Sequence, residues 1–288
     1  MALTTPADCA GRQESQRWIE VVVGTNITPR PVSTSTRVLM PHALAGRTAF
    51  DKLRSFSRIN LKLFPYIALT MLRGGRAHGS VAEFRAYCDR AGFEFTYDGV
   101  SNNIPIVAPL VAEFAKRRDD DTIRYLEIGA YEGRNLAFLD WLAPGRLDVT
   151  VIDPWFDEDF NPDENYRAIE SRFHRNMART RFKAIACKRS VSGVELPLMR
   201  AAGDEFDLIY VDGSHAALEV MIDLCFCASL LSLGGMMILD DYWHDISDIG
   251  GPGVKQAVDQ FLAIFGGYFK ILAVYRQVVL VKTTEIPR

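Results

Sequence analysis

The chain reads as an α/β protein: a doubly wound, mostly parallel seven-stranded sheet with a terminal antiparallel hairpin and an N-terminal helical cap. Three observations predict this. From residue 122 onward, short β-compatible runs alternate with segments of helical periodicity, the pattern of successive βα units. The last two strands, 269–275 and 277–282, have almost nothing between them; a parallel crossover needs about a dozen residues, so they must pair antiparallel. Between strand 122–129 and helix 134–142 lies Glu127-Ile-Gly129-Ala-Tyr-Glu-Gly133, where Gly129 lets the chain turn sharply and a ligand approach the backbone.

Taken in order, residues 1–45 are rich in Thr, Ser and Pro with weak periodicity, and are expected to form a poorly ordered arm. Phe50, Leu53, Phe56, Ile59, Leu63 and Tyr66 recur at helical spacing and predict a helix over 48–72. Its apolar part, 61–72, is interrupted by Lys62 and Pro65 and is read as buried. Ser80 with Glu83 makes a capping-box pattern for a second helix to about 91. A third spans 105–118, completing a cap over 46–120 that no linker divides from the domain at 121–288. Strands 122–129, 147–152, 182–187, 206–211 and 236–239 then alternate with helices 134–142, 165–180, 195–202 and 218–231. A last helix, 253–265, precedes the hairpin.

At 288 residues and 48% hydrophobic, the chain can bury a full core. A net charge of −3 gives no sign of wholesale nucleic-acid binding, so no nucleic-acid partner is expected. The charge is uneven: residues 1–100 hold 13 Lys and Arg against 8 Asp and Glu, and the remainder 20 against 28. A solvated basic helix face explains that better than attraction of an anionic substrate. The five cysteines include no CxxC pair. Cys187, Cys225 and Cys227 are expected as buried free thiols in a reducing compartment, hence a cytoplasmic protein. Residues 2–24 lack the apolar core of a secretory signal, and no run reaches the roughly 18 apolar residues of a membrane span. A homo-oligomer is allowed, but oligomeric state is not legible.

In a doubly wound sheet, ligands bind outside the carboxyl ends of the strands. Four strand ends carry polar groups there: Glu127 and Gly129, Asp153, Asp212 with His215, and Asp240 with Asp241. Asp153 lies 20 residues beyond Gly133, at the end of the next strand, which suits a carboxylate accepting ribose hydroxyls; the alternative is a turn or helix-capping Asp. The glycine pattern is not G-x-G-x-x-G, and Glu127 and Glu132 would repel phosphates. A ligand with a ribose and a cationic amine fits better than a pyrophosphate, and S-adenosylmethionine has both.

Residues from about 100 to 283 resemble a class I S-adenosylmethionine-dependent methyltransferase. Leu126-Glu-Ile-Gly-Ala-Tyr-Glu-Gly-Arg-Asn135, Ile152-Asp-Pro-Trp155, Tyr210-Val-Asp-Gly-Ser-His215 and Leu239-Asp-Asp-Tyr-Trp243 are similar to the macrocin- and mycinamicin-type sugar O-methyltransferases. The resemblance implies that Glu127 and Gly129, with Ala130 and Gly133 in the same turn, hold the methionine part of the cofactor and Asp153 its ribose. Asp212 is expected both in the cofactor site and, with His215, among the catalytic residues. Asp212, Asp240 and Asp241 match carboxylates that bind magnesium in the metal-dependent members, and His215 matches a proposed general base.

The residues themselves leave alternatives open. His215 either accepts a proton or caps the helix that follows it. Asp240 and Asp241 either hold a metal or contact cofactor and backbone without one. Tyr242, Trp243 and His244 either wall a substrate pocket or cover the sheet edge. Trp155 stacks near an adenine or lies in the core, and Arg189 and Ser190 fall where an adenine edge would lie. The function expected is O-methylation of a small molecule such as a sugar, a phenol or another natural product. A non-catalytic scaffold retaining the fold is the alternative, and a nicotinamide dehydrogenase is disfavoured by the missing third glycine.

Overall fold

The computed structural model describes residues 63–74, 78–156, 166–244 and 251–287. The expected arm over 1–45, and the part of the first helix before 63, lie outside them. Helices α1 (Phe64–Gly74), α2 (His78–Ala91) and α3 (Ile104–Arg117) precede β1 (Ile123–Ile128). Then follow α4 (Arg134–Leu142), β2 (Leu147–Ile152), α5 (Tyr166–Met177), β3 (Ala184–Lys188), α6 (Ser192–Ala202), β4 (Phe206–Val211), α7 (Ala217–Leu230) and β5 (Leu231–Leu239). Helix α8 (Val254–Phe265) and a 3-10 turn (Gly266–Tyr268) lead to β6 (Phe269–Val274) and β7 (Val278–Lys282).

The sheet has seven strands in the order β3-β2-β1-β4-β5-β7-β6. Strands β1 to β5 are parallel, and β7 inserts antiparallel between β5 and β6. Strand order reverses between β1 and β4, which is where a doubly wound sheet opens a ligand crevice.

Period-two alternation sends side chains into two cores. Tyr125, Val149, Val151 and Leu208 pack with Phe84, Val107, Leu136 and Phe173 on one face. Leu126, Ile128, Ile209 and Val211 pack with Ile67, Leu196, Leu224 and Val258 on the other. The N-terminal helices therefore divide over both faces, with α2 and α3 on the first and α1 on the second. Val274 N–H donates to the Thr70 hydroxyl at 3.2 Å and ties α1 to β6.

Three expectations are corrected. Helix α1 is amphipathic rather than buried: Leu63, Ile67 and Thr70 are covered, while Phe64 is 53% exposed. Pro65 does not interrupt it, because a proline is tolerated in the first turn. Strand β5 begins at Leu231, five residues earlier than expected, because Leu231 already pairs with Phe206; Gly234-Gly235 lies inside the strand rather than before it. Cys187 and Cys225 are exposed free thiols, not buried ones; Cys88 and Cys227 are the buried pair of residues. The cause at Cys187 is that β3 is an edge strand left largely uncovered.

The tightest packing lies at the switch point. A Cβ on Gly129 would sit 1.9 Å from the Asp212 carbonyl oxygen, and φ there is +80°. Gly129→Ala is expected to cost about 3 kcal/mol or more, since both strain and clash are backbone-bound. Urea denaturation measures it; a loss under about 1 kcal/mol would show that the strands can part at little cost.

Candidate active site at the strand-end rim

The sheet's hydrogen-bond ladder continues one residue past each strand end. Gly129 N–H donates to Ile152 O at 2.9 Å, and Asp153 N–H to Lys188 O at 3.1 Å. Asp212 N–H donates to Ile128 O at 2.9 Å, and Asp240 N–H to Val211 O at 3.0 Å. Backbone pairing thus sets Gly129, Asp153, Asp212 and Asp240 side by side along one rim, as the sequence predicts.

Glu127 is buried, and its Oε2 accepts from the Tyr125 hydroxyl and from Asn135 Nδ2 at 2.9 Å. Burial pushes its pKa up to about 8, against the pull of those two donors. Glu132, beside it in the turn, is no part of a cleft wall. It accepts from Thr96 N–H at 2.6 Å and pairs with Arg172, tying the segment before α3 to α5.

Asp153 does more than stand at a strand end. Its Oδ2 accepts from Ala130 N–H at 2.7 Å and Tyr131 N–H at 2.9 Å, and its Oδ1 from Trp155 N–H at 2.6 Å. The carboxylate braces the glycine turn, as the turn-Asp alternative holds. A carboxylate has about four lone-pair sites, so three amides leave one more acceptor direction. Burial raises its pKa despite those amides. Gly133 begins α4 in the left-handed conformation, and a Cβ there would meet Met177 Cε at 2.4 Å, so its role is close helix packing. Trp155 is core: it packs against Phe173 at 4.7 Å between centroids, the rings tilted by 52°, and donates to Tyr131 O. Arg189 pairs with Glu170 at 3.1 Å.

On the other side of the switch point, Asp212 opens to solvent at the mouth of the cleft. Lost hydration where its carboxylate meets the rim, followed by the charges of Asp240, Asp241, Glu127 and Asp153, pushes its pKa up. Asp240 is also raised, by burial and then by Asp241. Its oxygens accept from the Tyr210 hydroxyl and from Asp241 N–H at 2.8 Å. Gln277, on the hairpin, donates in turn to that Tyr210 oxygen. Burial alone would raise Asp241 too, but the His215 hydrogen bond and the charges of His244, His215 and Arg276 bring it below the ordinary carboxylate range.

His215 Nε2 lies 3.2 Å from Asp241 Oδ2, and His244 Nε2 lies 3.8 Å from Asp241 Oδ1. His215 does not cap α7; the Ser214 hydroxyl accepts from Ala216 N–H instead. Tyr242 is buried and bonds to Asp259, which makes it packing rather than a pocket wall. Among the described residues, the donor atoms that converge within 4.8 Å are those of His215, Asp241 and His244. Asp212 and Asp240 stand beside that group, not in it.

Sequence inspection did not single out Tyr125, Asn135, Tyr210 or Gln277. Tyr125 lies two residues before Glu127 and Tyr210 two before Asp212, on the same face of their strands, and that spacing was the available signal.

Residues 126–242 match the family model of a methyltransferase domain. Among individual proteins, the chain is 28% identical over 119 residues to an O-methyltransferase, hkm8, of Aspergillus hancockii; the match spans 41% of this chain and 42% of that protein. The solved MycE methyltransferase of the mycinamycin biosynthetic pathway, in complex with Mg and SAH, is 15% identical. That alignment covers 72% of this chain and 57% of that one, with a TM-score of 0.48. The O-methyltransferase TomG from Streptomyces achromogenes, in complex with SAM, is 14% identical over 78% of this chain and 99% of that one, TM-score 0.47. No helix among the described residues is long and apolar enough to cross a membrane.

Glu127 supplies a prediction. An acid whose folded pKa is raised adds stability below its ordinary range and loses it as pH rises through the folded value. Stability should therefore decline as pH rises through about 8. Glu127→Gln should remove on the order of 2–4 kcal/mol of that decline between about pH 5 and pH 9. Urea midpoints across that range check it; an unchanged slope in the variant would place the burden elsewhere.

Proposed function

We propose that the chain is an S-adenosylmethionine-dependent O-methyltransferase acting on a small hydroxylated acceptor. One observation carries this: the domain match coincides with a crowded row of carboxyl groups at the switch point, Glu127 and Asp153 buried and Asp212 and Asp240 nearer the surface, with a His–Asp pair at its far end. A cleft lined with carboxyl groups that a cation would ionise fits a cofactor bearing an ammonium and a sulfonium, and it does not fit a pyrophosphate. Glu127 and the amide-bearing turn from Gly129 to Gly133 would hold the methionine part, and Asp153 would use its remaining acceptor direction on a ribose hydroxyl. When bound, S-adenosylmethionine supplies an electrophilic methyl group.

What this chain adds is position and proton removal. With His215 Nε2–H donating to Asp241, the basic lone pair of the neutral imidazole is on Nδ1. That nitrogen takes the acceptor's hydroxyl proton, and the Asp241 carboxylate stabilises the imidazolium formed. Magnesium takes oxygen ligands, with waters completing the octahedron. Asp212 and Asp240 fit that chemistry, because lost hydration and then neighbouring carboxylates raise both, and a dication would relieve that. When bound, it would neutralise these two carboxylates and acidify a coordinated hydroxyl. The sugar, phenol or natural-product identity of the acceptor follows only the similarity to the mycinamicin-type enzymes.

Calorimetry with S-adenosylhomocysteine tests the cofactor half. Binding is expected for the native chain and its loss for Asp153→Ala; absence of binding at millimolar ligand would overturn the proposal. A screen of sugar, phenol and amine acceptors with labelled cofactor tests the reaction. On any acceptor found, His215→Ala should lower kcat by roughly 10²–10⁴ while leaving S-adenosylhomocysteine affinity unchanged. A kcat within a few-fold of native would remove His215 as the base.

A further inference from the structure

His215, Asp241 and His244 bring two imidazoles to one carboxylate, each nitrogen facing a different oxygen, at 3.2 and 3.8 Å. Two ligands of a tetrahedral zinc, each about 2.0–2.1 Å from the metal, stand about 3.3 Å apart. The spacings found here bracket that value. The trio is also held rigidly from several sides. His244 N–H donates to Asp241 O at 2.9 Å, and Lys255 N–H to His244 O at 3.0 Å, so the His244 backbone is fixed between the strand end and the start of α8. The two rings meet edge to face with centroids 4.7 Å apart. Asp241 itself takes a left-handed backbone conformation, φ 51°, that non-glycine residues seldom adopt.

Two nitrogens and one oxygen form a donor set for borderline first-row dications such as zinc, nickel and cobalt; magnesium prefers oxygen alone. We propose that His215, Asp241 and His244 form a site for a borderline divalent cation, separate from the oxygen donors Asp212 and Asp240, and that its occupation switches off proton removal by His215. Metal on Nε2 displaces the proton that Nε2 donates to Asp241, and the neutral imidazole then carries its proton on Nδ1. The lone pair that would take the acceptor's proton is gone. Binding stands on the geometry alone; the inhibitory consequence rests on His215 being the base.

Equilibrium dialysis of the full chain against zinc in excess magnesium tests the site, with cobalt(II) visible absorption as a second readout. About one zinc per chain should be retained and a cobalt spectrum of nitrogen and oxygen ligation should appear. His244→Ala should weaken zinc retention at least tenfold, whereas His174→Ala, at an exposed histidine, should leave it unchanged. Calorimetry with S-adenosylhomocysteine on His244→Ala reports folding and the cofactor half separately; if that variant does not fold, His244→Gln serves in its place. Retention unaltered by both His244 changes, or zinc displaced by millimolar magnesium, overturns the site. In methyl-transfer assays, stoichiometric zinc should suppress native turnover more than tenfold and the His244 variant far less. Equal suppression of both overturns the switch while leaving the cofactor reading intact.

Discussion

The rim depends on how closely β1 and β4 run at their carboxyl ends. The Gly129 Cα hydrogens face the Asp212 carbonyl where any side chain would collide with it. That contact lets the ladder run one residue beyond the strands, so that backbone hydrogen bonds, not side-chain packing, fix the spacing of Gly129, Asp153, Asp212 and Asp240. Strand pairing in a buried parallel sheet is rigid, and residues at its ends inherit that rigidity. The glycine is therefore required first by the protein's own backbone, and the turn it opens becomes a ligand site as a consequence.

This placement has an electrostatic cost. Glu127, Asp153, Asp212 and Asp240 are all raised above the ordinary carboxylate range, with lost hydration the first cause in each. Hydroxyls of Tyr125 and Tyr210 and the Asn135 amide offset part of it. None of these partners carries a positive charge. Three other buried acids are matched to guanidinium groups: Asp207 meets Arg118 at 2.6 Å and Arg124 at 2.8 Å, Glu132 meets Arg172, and Asp140 meets Arg181; Asp223, on α7, is instead raised to about 6 by burial. Among the described residues those three paired acids serve the fold, whereas Glu127, Asp153 and Asp240 on the rim bond to uncharged donors. Local rules broken without internal compensation mark functional sites.

Much of this was legible because it is local. Alternating periods located the βα units, the short link between the last strands forced the hairpin, and acidic residues at strand ends pointed to one rim. What was not legible depends on contacts distant in sequence. Gln277 reaches Tyr210 across 67 positions, and nothing near either residue announces the other. Asp153 was readable as a strand-end acid, yet its three amide bonds follow from the folded turn. Cys187 sits in an apolar run that looks buried; only the strand order reveals β3 as an edge. His244 reads in the sequence as one of three aromatic neighbours, and only the fold sets its ring beside Asp241 and His215.

Adjacent residues at the end of β5 illustrate how environment assigns roles. Asp240 and Asp241 are chemically identical and joined by one peptide bond. Asp240 faces Tyr210 among other carboxylates and is raised, whereas Asp241 faces two imidazoles and Arg276 and is lowered. Titratable neighbours driven apart in this way divide the work of a site. The raised group is one that a cation, whether a ligand's or a metal's, would stabilise. The lowered group stays anionic and orients the His215 ring. The positive φ at Asp241 is the backbone feature that lets consecutive residues serve these two environments, which makes that turn as much a part of the chemistry as the side chains it carries.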